Sequence, residues 1–255
     1  TTLVIVCSVF YVYFVQVRLD ETLTLSGSSI TITVRDCKVK LTQKTSVSSG
    51  KVEAKVQAYD KDTLQSSSDS ITVRNPWRDI EACEVDLAVQ GSFPATEFVC
   101  EHKCWIEQET DELEFTGQLK AESKQDGGVV KEGRLKMKKV KAPSVSILFV
   151  GTVTFEDLET ASGGTIDVKE GDLWVQSEQD VDLTWKTRES GAYCMAGETA
   201  VSSVTPLCTW SKLVVTNETQ YDVKSCEGRT NVCNSVSCSS TSYSLSVKNG
   251  GIYWN

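Results

Sequence analysis

Residues 144–155 read SVSILFVGTVTF, a run of Val, Ile, Leu and Phe with no charged side chain, bounded by Pro143 and Glu156. A segment this continuously apolar has two faces to bury, as a central strand does. Its neighbours read differently. Gly133 to Val140 (GRLKMKKV) places Leu135, Met137 and Val140 opposite a basic face, and Lys51 to Tyr59 (KVEAKVQAY) alternates charged with apolar or small residues. Both predict half-buried strands with one wet side. Lys131, Arg134, Lys136, Lys138, Lys139 and Lys141 are then the solvent face of a strand, as edge lysines that discourage unwanted pairing.

Strand signals recur to both sides and helical periodicity does not. Thr22 to Leu25 and Ile30 to Val34 flank Ser26-Gly27-Ser28-Ser29, which predicts a hairpin with a four-residue loop. Thr165 to Val168, Asp172 to Gln176, Val181 to Trp185, Lys212 to Thr216 and Tyr243 to Val247 are short β-type runs separated by Gly, Ser, Asn or Asp. Many short strands at even spacing predict a sandwich or a β-solenoid. An internal echo points to repeated β units. Ser29-Ile30-Thr31 leads through Val34-Arg35 to Cys37, and Ser70-Ile71-Thr72-Val73-Arg74 leads to Cys83.

With 255 residues, 40% of them apolar and 24% charged, the chain can bury a core without metal or cofactor. Its net charge of −9 argues against nucleic acid as a partner. The charge is uneven: residues 1–150 carry 19 basic and 21 acidic groups, residues 151–255 carry 7 and 14. That change, at Lys141-Ala142-Pro143-Ser144, marks a domain boundary.

Ten cysteines, Cys7, Cys37, Cys83, Cys100, Cys104, Cys194, Cys208, Cys226, Cys233 and Cys238, point to a disulfide framework in an oxidising compartment. Zinc would call for close thiolate and imidazole pairs. The sequence has no CxxC, and its single histidine, His102, sits in Cys100-Glu-His-Lys-Cys104. No metal site is assigned. Asn217-Glu218-Thr219 is a glycosylation acceptor triplet, consistent with secretion.

The opening TTLVIVCSVFYVYFVQVRL is the second segment on which function turns. Its apolar run falls short of the roughly 20 residues of a membrane span, and it lacks a basic n-region and a small-residue cleavage motif, which argues against a retained signal peptide. Membrane association stays open only as an anchor preceding Thr1. Rich in β-branched and aromatic residues, residues 1–19 predict an extended strand apolar on both faces. It is a strand of its own domain or one donated to a neighbouring copy, with main-chain bonds giving affinity and pockets giving specificity. Val4, Val6, Phe10, Val12 and Phe14 are the pocket-filling anchors of the donated strand, and Tyr11 and Tyr13 serve its other face or rim. Each side of the expected boundary holds an odd number of cysteines. If the first strand leaves its domain, Cys37, Cys83, Cys100 and Cys104 pair among themselves and Cys7 is available to a neighbour. The alternatives are a Cys7–Cys37 bridge within one chain or a bridge between its two domains.

No Walker loop, G-x-S-x-G, H-E-x-x-H or G-x-G-x-x-G occurs. No carboxylate pair stands out, and Asp180 and Asp182 lack a calcium loop around them. The sequence predicts neither an enzyme nor a cofactor. Length, ten cysteines, β content and LVIVC with Cys37 some thirty residues later resemble the zona pellucida module, an extracellular polymerising unit of two sandwich domains. Cys83, Cys100, Cys104 and the group Cys226, Cys233 and Cys238 depart from its order, so no residue role is carried over.

The sequence thus predicts an all-β, disulfide-stabilised, extracellular protein. It comprises a donor-type strand (1–19), a sandwich-like domain (20–142) and a second, Cys-rich β domain (143–255). The expected function is a structural subunit of a filament or coat, a homopolymer assembling head to tail by strand donation, with glycans as a further partner. The alternative is a cell-surface adhesion or receptor ectodomain that binds glycan or protein through its loops.

Overall fold

The computed structural model describes residues 19–58, 64–76, 78–124, 133–177, 182–187, 192–195, 226–231, 241–247 and 251–254. Within these the protein is all-β, with one turn of 3-10 helix at Ile80–Ala82. In chain order the strands of the first half are β1 (Leu19–Leu25), β2 (Ser29–Arg35), β3 (Cys37–Gln43), β4 (Val52–Ala58), β5 (Leu64–Ser66), β6 (Ser70–Arg74), β7 (Glu84–Val89), β8 (Ala95–Cys100), β9 (Cys104–Gln108) and β10 (Glu112–Glu114). They continue as β11 (Leu119–Ser123), β12 (Gly133–Ala142), β13 (Val145–Thr160), β14 (Gly163–Lys169), β15 (Leu173–Val175), β16 (Asp182–Thr187), β17 (Ala192–Met195), β18 (Cys226–Asn231), β19 (Ser242–Val247) and β20 (Gly251–Trp254).

These strands wind as a parallel coil. Each turn lays one strand in a first sheet, ordered β5-β6-β2-β8-β11-β13-β14-β19-β16-β18. The next strand joins a second sheet, ordered β1-β4-β7-β3-β9-β12-β13-β15-β20-β17, with β10 beside the end of β12. Pairing is parallel throughout the middle and antiparallel only at the ends, in β1–β4, β4–β7, β5–β6 and β16–β18. Of the two predicted architectures the solenoid is the one that matches. The sandwich fails on connectivity, because strands joined by corners in a coil stack in parallel on the turn before, whereas sandwich strands return antiparallel.

The run that opened the sequence is the strand that joins the sheets. Residues 145–150 of β13 pair with β11 and β14 in the first sheet, and residues 151–160 pair with β12 and β15 in the second. The bend falls at Gly151, whose φ is 119° and whose missing Cβ would lie 2.1 Å from the Gly133 carbonyl oxygen. Only glycine combines that backbone with that approach.

Inward side chains form in-register columns along the axis. Ile71, Ile32, Phe98, Ala121, Ile147, Ile166 and Leu245 make one in the first sheet. Val85, Val39, Ile106, Leu135, Val153, Leu173 and Ile252 make the facing one in the second. All are buried and belong to a single apolar cluster. That cluster crosses the expected boundary: Pro143 is a corner, and the strands on either side of it pair over 133–142 and 151–160. The predicted hairpin around Ser26–Ser29 is corrected too. β1 pairs with β4 and β2 with β6 and β8, so the loop carries the chain from one sheet to the other.

The sequence echo is two stacked turns. Ile32, Thr33, Val34 and Arg35 lie beside Ile71, Thr72, Val73 and Arg74, and a disulfide joins Cys37 to Cys83 at the next corner. Chain order is exchanged at both ends of the coil. The β6–β7 turn stacks outside β2–β3, and the final β19–β20 turn inserts between β14–β15 and β16–β17.

Candidate functional site

The corner from the first sheet to the second gathers the unusual chemistry of the described residues. On one turn it is Val34-Arg35-Asp36-Cys37, with Asp36 at a φ of 54°. On the next it is Cys100-Glu101-His102-Lys103-Cys104, closed by a Cys100–Cys104 disulfide. The ladders align Val34 with Cys100 and Cys37 with Cys104, which brings the single histidine onto the aspartate. His102 Nδ1 lies 2.6 Å from Asp36 Oδ1, with His102 9% and Asp36 1% exposed. With the carboxylate ionised, the imidazole N–H donates.

Asn75, buried on the adjacent turn, donates its amide to the carbonyls of Asp36 at 3.1 Å and Asp79 at 2.6 Å. Outside this buried layer Arg74 grips Glu101 through Nε and Nη2 at 2.6 and 2.8 Å. That bidentate bond, outweighing the upward push of burial, holds the Glu101 carboxyl below its ordinary range. Beyond Cys104, Trp105 has Lys38, Lys103 and Arg134 at 5.0, 5.2 and 5.3 Å from its ring centre.

This corner does not resemble a nucleophile site. Cys37, Cys83, Cys100 and Cys104 are all oxidised, so none offers a thiolate, and His102 faces a carboxylate in a closed space. Among the described residues no group of three His, Cys, Asp or Glu side chains is placed to hold a metal ion.

The basic strand is internal. β12 has β9 and β10 on one side and β13 on the other, which corrects the reading of its lysines as edge residues. Lys136 meets Glu156 at 3.7 Å, Lys138 meets Asp111 at 3.4 Å, Lys139 meets Asp157 and Glu159 at 3.5 and 3.4 Å, and Lys141 meets Glu112 at 2.9 Å. The acidic runs near 107–114 and 156–159 are the flanking strands of this ladder. Hydrogen bonding to Glu159 and Glu112 pushes Lys139 and Lys141 up, and Lys141 pulls Glu112 down.

Of the sequence-predicted sites, Val4, Val6, Cys7, Phe10, Tyr11, Val12, Tyr13, Phe14, Asp180, Cys208, Asn217, Cys233 and Cys238 lie outside the described residues. Cys194 falls in β17 and Cys226 in β18, both described by backbone alone. The bridge of Cys37 to Cys83 leaves no place for a Cys7–Cys37 bridge. Sequence reading singled out His102 and its two cysteines but missed Asp36, Asn75 and Trp105. The repeated Val-Arg at the end of each echo, which directly precedes Asp36 and Asn75, was the signal that could have found those two.

No protein-family model matches the chain, and no curated protein is similar to it. Among solved structures the fold is similar to a candidate cell adhesion protein from Clostridium sporogenes, with a TM-score of 0.39 and 10% identity, covering 92% of this chain and 99% of that one.

Proposed function

We propose that this chain is a non-enzymatic structural module of an extracellular or cell-surface protein, a stiff β-coil that presents its outer faces to a partner in adhesion. The observation that carries the reading is the buried Cys37–Cys83 bridge between adjacent turns, which suits an oxidising compartment. The continuous apolar interior of the described residues supports a load-bearing role. Labelling of intact, unpermeabilised cells with an antibody to the protein tests it. Surface signal that is lost on protease shaving is expected, and signal only after permeabilisation refutes the reading.

A second reading, head-to-tail assembly by strand donation, is favoured by one feature. Among the described residues β1 pairs only with β4, and in sequence it follows the apolar segment of residues 3–15. Electron microscopy of the full chain beside a variant lacking residues 1–18 separates the two. Filaments that vanish with the deletion support donation, and single particles from both leave the monomeric module.

A further inference from the structure

The core buries aromatic rings completely at Phe98, Phe149 and Tyr243. Both tryptophans whose side chains are described, Trp105 in β9 and Trp174 in β15, instead stand half-buried on the outer face of the second sheet. A large ring left partly in water forgoes burial energy that a bound surface can supply. The ladders place the two on one diagonal. Trp105 pairs with Arg134, Arg134 with Thr152, and Thr154, the next outward residue along β13, with Trp174. Three strand spacings across and two residues along put their Cα atoms about 16 Å apart.

The lane between the rings is polar. Thr152 and Thr154 are half-buried at its centre, and ion pairs flank them, Arg134 with Glu107 at 3.5 Å and Lys136 with Glu156 at 3.7 Å. Donors and acceptors therefore sit side by side around the threonine hydroxyls. At one end Lys38, Lys103 and Arg134 lie 5.0, 5.2 and 5.3 Å from the Trp105 ring centre, which holds that ring in place. At the other end Trp174 pairs with Tyr253 of β20, so a second aromatic residue takes the next register position.

We infer that this face binds a neutral polysaccharide, with sugar C–H faces against the two indoles and sugar hydroxyls exchanging hydrogen bonds with the side chains between them. The inference rests on the surface reading above and adds its ligand class. A sugar chain alternates apolar C–H faces with hydroxyls, and separate rings set among hydrogen-bonding groups match that alternation. A charged polymer suits the lane less, since Arg134 and Lys136 already face carboxylates. A protein partner also suits it less, because the centre of a protein interface is a contiguous apolar patch. Leu148, the exposed large apolar side chain among the described residues, lies on the first sheet instead.

The test is isothermal titration calorimetry of the full chain with the neutral probes hydroxyethylcellulose, galactomannan and amylopectin, at about 0.05 and 0.5 M NaCl. Binding to at least one is expected, with affinity changing less than about threefold between the two salt levels. Trp105→Ala and Trp174→Ala should each lose on the order of tenfold in affinity, and Leu148→Ala, on the other sheet, should match the wild type. Circular dichroism checks that each variant is folded. Oxidation of the wild type by N-bromosuccinimide, read by mass spectrometry, keeps the test decisive if a variant is not, because saturating polysaccharide should protect Trp105 and Trp174. Failure to bind any of the neutral probes, wild-type affinity in both tryptophan variants, unprotected rings in the complex, or tighter binding to heparin overturns the proposal. Self-association in sedimentation that Trp105→Ala abolishes would also overturn it and assign the face to a second copy of the chain. Surface labelling and polysaccharide binding are separate measurements, so the location of the protein and the identity of its ligand can fail independently.

Discussion

Asp36 Oδ2 is buried and accepts no hydrogen bond, so the imidazole of His102 is what makes a carboxylate tolerable inside the corner. Removing the ring by His102→Ala should cost about 3–5 kcal/mol in urea unfolding, because it strands a buried charge, whereas the double change Asp36→Leu/His102→Leu should recover most of that. A cost no greater than that of a surface substitution would show that the pair is hydrated. Glu101 gives a pH test. Its folded pKa is depressed, so its contribution is full above its ordinary 4.5 and is lost as pH falls through the folded value. Arg74→Gln should therefore reduce stability by on the order of 1 kcal/mol or less near neutrality, this exposed pair being screened, and the difference should shrink in acid. The opposite sign holds at Tyr243, whose phenol is pushed up to about 12 by burial, against the pull of its 2.6 Å hydrogen bond to Thr160. The stability it lends is complete below pH 10 and fades as pH rises toward 12. In Tyr243→Phe that alkaline dependence should disappear from the unfolding curve, leaving a cost of about 1 kcal/mol for the lost hydrogen bond.

At the scale of elements, alternation in β4 and β12 was legible residue by residue: Val52, Ala54 and Val56 and then Leu135, Met137 and Val140 are buried as their spacing implies. The step from Met137 to Val140 has a tertiary cause that no local pattern shows. Phe155 and Leu158 on β13 make the same step beside them. The buried amide of Gln108 fills the gap, donating to the Thr110 and Lys139 carbonyls at 2.9 and 3.0 Å and accepting from the Lys138 N–H at 3.1 Å. Gly151 is the stricter constraint. Gly151→Ala should destabilise the coil by about 3 kcal/mol or more, since its Cβ would collide with backbone that cannot withdraw and its φ would be strained as well. A variant that melts within a degree or two of wild type would mean that the bend is adaptable.

Among the described residues, turn stacks on turn throughout the molecule, and the two crosslinks described lie at one corner. The Cys37–Cys83 bridge spans 46 residues and the Cys100–Cys104 bridge only 4. Removing the first by paired Cys→Ser changes should cost about 2–4 kcal/mol, and removing the second should cost less, because the short loop restrains the unfolded chain less. Equal losses in denaturant titrations would contradict that account. The inserted last turn has a related consequence. Deleting residues 241–255 removes the strands on which β16 and β17 stack, so proteolysis should reach residues 182–195 in the shortened chain, although they precede the cut by more than a strand.

By itself the sequence determined what depends on nearest neighbours. The all-β class, the strand character of residues 133–155, the pairing potential of an even set of cysteines and the repeat linking residues 29–37 to 70–83 are set by side-chain type and period. Which strands touch was decided only in three dimensions. A sandwich strand and a coil strand show the same alternation, since each buries one face. Parallel stacking through Gly151, the exchanged turns at both ends and the meeting of His102 with Asp36 across 66 positions arise when corners of successive turns are brought into register.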